Sequence, residues 1–216
     1  MRTHRPPSVR ILSALVPSAI AAALGAPAAA SVTRFNDRAA FNTRAAIDGV
    51  TINAEGFESY AATNAFDLSS LSTPRATFTF PNSAGVWNQG FQGASAPQGV
   101  NYILIQNSPS KFGISFTTPV THFALTLTDW GDAGSGILSV GGPNFPAMNI
   151  VDTSRRDGEK YFFGFVSDTP VTSLLFQCTN TGDSYGFDDV LTGAVPGPGA
   201  VPMLAGGLAL VVRRRR

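Results

Sequence analysis

A single cysteine, Cys178, removes intramolecular disulfides from the ways this chain can hold itself together. Histidine is almost as scarce. Outside the first thirty residues only His122 is present, and no Cys/His cluster exists, which excludes the usual zinc ligand sets. No glycine-rich phosphate loop opens a helical pattern, so nucleotide chemistry is excluded too. There is no internal repeat and no heptad pattern, which argues against solenoids and coiled coils.

Long apolar runs are confined to the two ends. Arg2, Arg5 and Arg10 precede the apolar stretch Ile11 to Leu24 and the small-residue sequence Ala28-Ala29-Ala30-Ser31. That order is a secretory signal peptide, with cleavage expected after Ala30. At the other end stand Val195-Pro196-Gly197-Pro198-Gly199, an apolar run from Ala200 to Val212, and Arg213-Arg214-Arg215-Arg216. The prolines keep the chain extended, and four guanidinium groups resist crossing a bilayer. Thirteen helical residues span about 20 Å, against a hydrocarbon core of about 30 Å. The segment therefore fits a transient hold on the membrane that ends in cleavage, or a short tilted anchor with its arginines at the headgroups.

This tail resembles the PEP-CTERM sorting signal of bacterial envelope proteins, with Gly197 where that family usually has Glu and a shorter apolar run. The resemblance implies export by the secretion machinery, recognition by an exosortase-type membrane protease, and a place in the cell envelope. Two short motifs of the body are also similar to that family: Phe35-Asn36-Asp37-Arg38-Ala39-Ala40-Phe41 and Gly186-Phe187-Asp188-Asp189-Val190. They imply a lectin-like jelly roll.

With both ends removed, fifteen basic residues fall to eight while all fourteen acidic ones remain, a net charge of −6. An acidic body argues against nucleic acid as a partner. All sixteen phenylalanines lie within it, enough for one sizeable core. A short helix is predicted at Asn36–Ala46, capped by Asn36 or Asp37. Nine β-type runs follow: Val50–Phe57, Arg75–Phe80, Asn101–Gln106, Phe112–Thr117, His122–Thr128, Gly136–Val140, Tyr161–Ser167, Ser173–Thr179 and Tyr185–Leu191. Phe123, Leu125 and Leu127 share one face, with His122, Ala124 and Thr126 on a wet face opposite. Tyr161–Val166 is apolar on both faces and reads as central or covered. Ala61–Ser72 and Gly141–Lys160 read as loops. The expectation is an all-β chain: an antiparallel, jelly-roll-like β-sandwich at 31–193, between a signal peptide at 1–30 and a sorting segment at 194–216.

Carboxylates are the remaining candidates for chemistry. Asp183, Asp188 and Asp189 crowd near the end of the body, and Glu55 and Glu58 flank Gly56-Phe57 on its first β-type run. If first and last strands are neighbours these oxygens can converge on Ca²⁺, with Asp188 and Asp189 on opposite strand faces so that only one ligates. The other reading is ordinary turn and surface aspartates. Trp87, Trp130 and Tyr185 are candidates for stacking on a pyranose ring if exposed, or core if not. His122 reads as a solvent-facing strand residue and Cys178 as a buried inert thiol. The function expected is a noncatalytic component of the cell surface or extracellular polysaccharide matrix, with carbohydrate binding as its sharper form. The alternative is a secreted polysaccharide hydrolase using two carboxylates.

Overall fold

Two long strands, β6 (Lys111–Thr128) and β9 (Lys160–Cys178), pair antiparallel along most of their length, and the other strands attach to that pair directly or through one another. The computed structural model describes residues 31–106, 111–129, 137–151, 158–179 and 184–195, and at 82, 83 and 151 the backbone alone. Each of β6 and β9 covers two of the runs predicted separately. The register between them breaks between Ser115 and His122, where Pro119 on one strand and Pro170 on the other lack the N–H a ladder needs.

That break turns the sheet back on itself. The first half of β6 pairs with β4 (Ala76–Trp87), and the second half pairs with β10 (Tyr185–Gly193). Strand β5 (Tyr102–Ile105) pairs with both β4 and β10, so β6, β4, β5 and β10 form a closed hydrogen-bonded circuit. Around it, β1 (Val32–Phe35) joins β9, β2 (Asn53–Glu55) joins β10, and β3 (Leu68–Ser72) joins β4. The pair β7 (Leu138–Gly142) and β8 (Phe145–Val151) extends from the second half of β9. Among the described residues the fold is all-β and antiparallel, with one short helix, α1 (Arg38–Ile47). Among the described residues no helix is long and apolar enough to cross a membrane.

Three strands depart from the expected loops and runs. β3 and β8 form within segments predicted as loops, and β1 precedes the predicted helix. The predicted strand Val50–Phe57 shrinks to β2, because Phe57 adopts a positive φ of 56° that turns its ring inward. That ring is fully buried, edge-on to Phe78 at 5.5 Å and Phe187 at 5.8 Å. Phe112 lies at the centre of the interior, stacked on Phe176 at 4.3 Å and Phe187 at 4.6 Å. Each stack is nearly parallel, an arrangement strands permit because their side chains stand perpendicular to the sheet.

The helix begins as expected: Asp37 caps it, its carboxylate accepting from the Ala40 N–H at 2.7 Å. It ends at Asp48, followed by Gly49 at φ 67°. Its buried Phe41 packs on Phe35, Phe162 and His122. A Cβ at position 164 would meet Ala124 Cβ at 3.0 Å and the Phe41 ring at 3.1 Å, so Gly164 is what lets helix and sheet approach. The face of β6 predicted to be wet is therefore covered: His122 and Ala124 have no exposed surface. Cys178 is buried at the end of β9, 3% exposed.

Replacing Phe112 by alanine removes the ring shared by both stacks. The expected cost is about 3–5 kcal/mol of folding free energy in denaturant unfolding; a loss below about 1 kcal/mol would show that the interior collapses around the gap.

Candidate functional site

The acidic residues singled out in the sequence do meet, at a seam in the sheet. One side of β10 is occupied end to end by β6; the other side is shared, β5 pairing with Tyr185–Phe187 and β2 with Val190–Thr192. Asp188 and Asp189 fill the step between. Phe187 and Val190 both point into the interior, three residues apart, which strict alternation forbids; a bulge there, with Asp189 at φ 55°, absorbs the extra residue. The expected placement of the two carboxylates on opposite faces fails for that reason.

Each carboxylate at the seam has a local task. Asp189 forms a two-pronged ion pair with Arg38 of α1, with Nη2 to Oδ1 at 2.9 Å, and its carboxylate is 3% exposed. Asp188 is fully buried and its Oδ2 accepts from the Gln98 N–H at 3.1 Å. Glu58 Oε1 accepts from the Val100 and Asn101 N–H groups at 2.8 and 3.0 Å. A Cβ at Gly99, whose φ is 66°, would collide with that oxygen. Asn101 completes the seam by donating its amide to the Phe57 and Tyr60 carbonyls. Glu55 Oε1 lies 3.4 Å from the Phe57 nitrogen. These oxygens receive backbone N–H groups that the change of strand partner would leave unpaired. Among the described residues no group of three or more His, Cys, Asp or Glu is placed to hold a metal ion. Asp183 lies outside the described residues.

His122 is the second departure. It is buried, with Nε2 3.1 Å from Asp48 Oδ2 and Nδ1 3.0 Å from Thr121 Oγ1. Arg44 Nε sits 2.7 Å from the same Asp48 oxygen, and hydrogen bonds from Arg44 and His122 hold the Asp48 carboxyl below its ordinary pKa. Burial pushes the imidazole pKa down, opposed by Asp48. The neutral ring then carries its proton on Nε2 and accepts at Nδ1 from the Thr121 hydroxyl, which in turn accepts from the Val195 N–H at 3.1 Å. The connectivity is that of a hydrolase triad. Its hydroxyl, however, is 7% exposed at the residue level and engaged as both donor and acceptor, so it works as a structural tie.

The stacking candidates are also relocated. Trp87 is 5% exposed and Tyr185 fully buried, so neither offers a free face; Trp130 lies outside the described residues. Trp87 instead forms the floor of an aromatic patch over β4 and β5, with Phe66 at 5.1 Å and Phe91 at 4.9 Å, these two being 5.6 Å apart and half-buried. The loop bearing Phe66 is tied to β4 by the Thr63 and Asn64 N–H groups, both donating to the Val86 carbonyl. The loop bearing Phe91 is tied down by a small bridge to Ala94 and by the Tyr102 hydroxyl, 3.1 Å from the Gln89 carbonyl. Burial pushes that phenol up to about 12. Amides border the rings: Asn64 and Asn88 hydrogen-bond each other at 3.0 Å, and Gln89 and Gln92 are exposed. Phe66 and Phe91 escaped the sequence reading because they lie in irregular segments, where no periodicity marks an outward ring.

No family model and no curated protein matches the chain. Among solved structures it is similar to a mutant of a family 29 carbohydrate-binding module, at TM-score 0.37 and 12% identity, covering 67% of this chain and 92% of that one. A cleaved adhesin domain of Lys-gingipain from Porphyromonas gingivalis w83 gives 0.41 and 13%, covering 68% and 99%. The catalytic domain of a GH87 alpha-1,3-glucanase mutant gives 0.37 and 13%, covering 69% of this chain and 28% of that one. TM-scores this low leave the function to the chain's own residues.

Burial, with Asp189 and Glu58 nearby, raises the Asp188 pKa to about 7. The unfolded carboxyl releases its proton near 3.8, so between about 4 and 7 the native state holds the extra proton. The Asp188 contribution to stability therefore falls as pH rises through that window and is constant above it. Replacing Asp188 by Asn should remove the fall. The stability difference between the two proteins is expected to change by a few kcal/mol between pH 4 and 7.5. A pH-independent difference would mean that the carboxyl titrates alike in both states.

Proposed function

We propose that this is an exported, noncatalytic surface module that binds a neutral polysaccharide through the Phe66–Trp87–Phe91 patch. The observation that carries the reading is the pairing of two half-exposed rings, held on an indole floor, with a border of uncharged amides. Ring faces take the C–H faces of a pyranose and amides take its hydroxyls, which is the division of labour sugar recognition requires. The engaged state of Glu58, Asp188 and Asp189 supports a binding rather than a hydrolytic role.

In this reading the body at 31–193 is a lectin-like jelly roll, delivered by a signal peptide at 1–30 and addressed by the segment at 194–216. The partners are the secretion machinery, an exosortase-type membrane protease and an extracellular polysaccharide. The protein resides in the bacterial envelope, attached at least transiently through its C-terminus. The tail's own chemistry supports this: an extended Pro/Gly site, a short apolar run and four terminal arginines.

Two experiments test the proposal. Titration of the exported protein with neutral and acidic polysaccharides should give binding to neutral chains without product release, weakened roughly tenfold by Phe66→Ala or Phe91→Ala. Equal binding by both variants would remove the patch from consideration. Replacing Arg213–Arg216 with serine should abolish processing and surface retention; unchanged mass and location would show that the basic cluster is not read.

A further inference from the structure

Both ends of the described body meet at one open cavity of about 280 Å3, bounded among others by Ser31, Asp48, His122, Asp168 and Val195. The Ser31 nitrogen lies 2.9 Å from Asp168 Oδ1, and the Asp168 N–H donates to the Ser31 carbonyl at 3.1 Å. This reciprocal pair closes the end of the β1–β9 ladder, next to the Val32–Ser167 register pair. Asp168 lies between the two stretches over which β9 pairs with β6, two residues before Pro170, and its side chain sits beside Ser31, the residue preceding β1.

We propose that Asp168 is a receptor for a processed N-terminus: hydrolysis of the Ala30–Ser31 bond converts the Ser31 amide into an α-ammonium that pairs with the Asp168 carboxylate and secures β1. The cleavage consumes one water and leaves a carboxylate on Ala30 and the ammonium on Ser31. The inference rests on the export reading, which places the cut there. An amide nitrogen offers one proton at this point; an ammonium offers three and a full charge, facing an open, solvated cavity. The other titratable groups lining it are Arg44, Asp48 and His122, and Arg44 and His122 are both bonded to Asp48. Asp168 is thus the carboxylate there that has no cation among the described residues; the Thr169 hydroxyl, at 3.1 Å, and the Ser31 nitrogen are its neutral partners. Cleavage supplies the missing charge.

The test uses the exported full chain as recovered from its host. Mass spectrometry should find Ser31 as the first residue. The α-amine, titrated by its reactivity toward an amine reagent, should show a pKa about half a unit above the usual 7.7–8.0, the size expected of an exposed ion pair. Asp168→Asn should return it to the usual range. Should that variant fail to fold, 1 M salt should produce the same return in the unsubstituted protein by screening the pair. A chain that begins at Ser31 but whose amine titrates normally at low salt overturns the receptor and leaves export standing. A chain that keeps its leader, or starts elsewhere, overturns the cleavage site and the receptor together.

Discussion

The fold depends on a ladder that is both long and interrupted. β6 and β9 pair from Lys111–Gln177 at one end to Thr128–Lys160 at the other, and the gap in register near Pro119 and Pro170 is what sends their halves to different partners. Without the pairing, β1, β7 and the β4–β6 and β10–β6 contacts have nothing to attach to. Without the gap, β4 and β10 would lie on one flat sheet, β5 could not bridge them, and the Phe112 stacks could not form. Proline serves here by what it withholds: a missing donor on each strand makes the bend cheaper than continuation.

Closing the sheet creates a second problem, which the acidic residues solve. Where β10 passes from β5 to β2, the Gln98, Val100 and Asn101 N–H groups just before β5 lie outside the ladder and need other acceptors. Glu58 and Asp188 accept them, while Asp189, displaced by the bulge, reaches Arg38 and fastens the helix. One oxygen of Asp188 stays buried with no hydrogen-bond partner among the described residues, which accords with a carboxyl that keeps its proton well above pH 4. Among the described residues of the acidic cluster, Glu58 and Asp188 act as caps for a sheet junction.

Much of this architecture was legible in the residues. The strict alternation of Phe112–Thr117 and His122–Thr128 placed their apolar sides inward, and of the two cap candidates Asn36 and Asp37 the helix uses the second. The adjacency of first and last predicted strands also holds, as the β2–β10 pair. What escaped were features decided by partners distant in sequence. Alternation gives a strand two faces but cannot say that a helix will cover the outer one, so His122 looked exposed. It also cannot register a bulge, so Asp188 and Asp189 were assigned opposite faces. β3 and β8 contain Leu-Ser-Ser-Leu and Pro-Ala-Met-Asn, weak strand formers that are extended because β4 and β7 offer them an edge. Trp87 drew attention by its type, yet the partly open rings are its neighbours Phe66 and Phe91.

Because β10 is paired on both sides over most of its length and ends two residues before Val195, any tension applied through the C-terminal segment enters the molecule at a fully buried strand. A pull along the strand axis would load the hydrogen bonds to β6, β5 and β2 in shear, many at once, rather than peeling them one by one. A tether attached here would resist drag better than one attached through β1, which has one strand partner among the described residues.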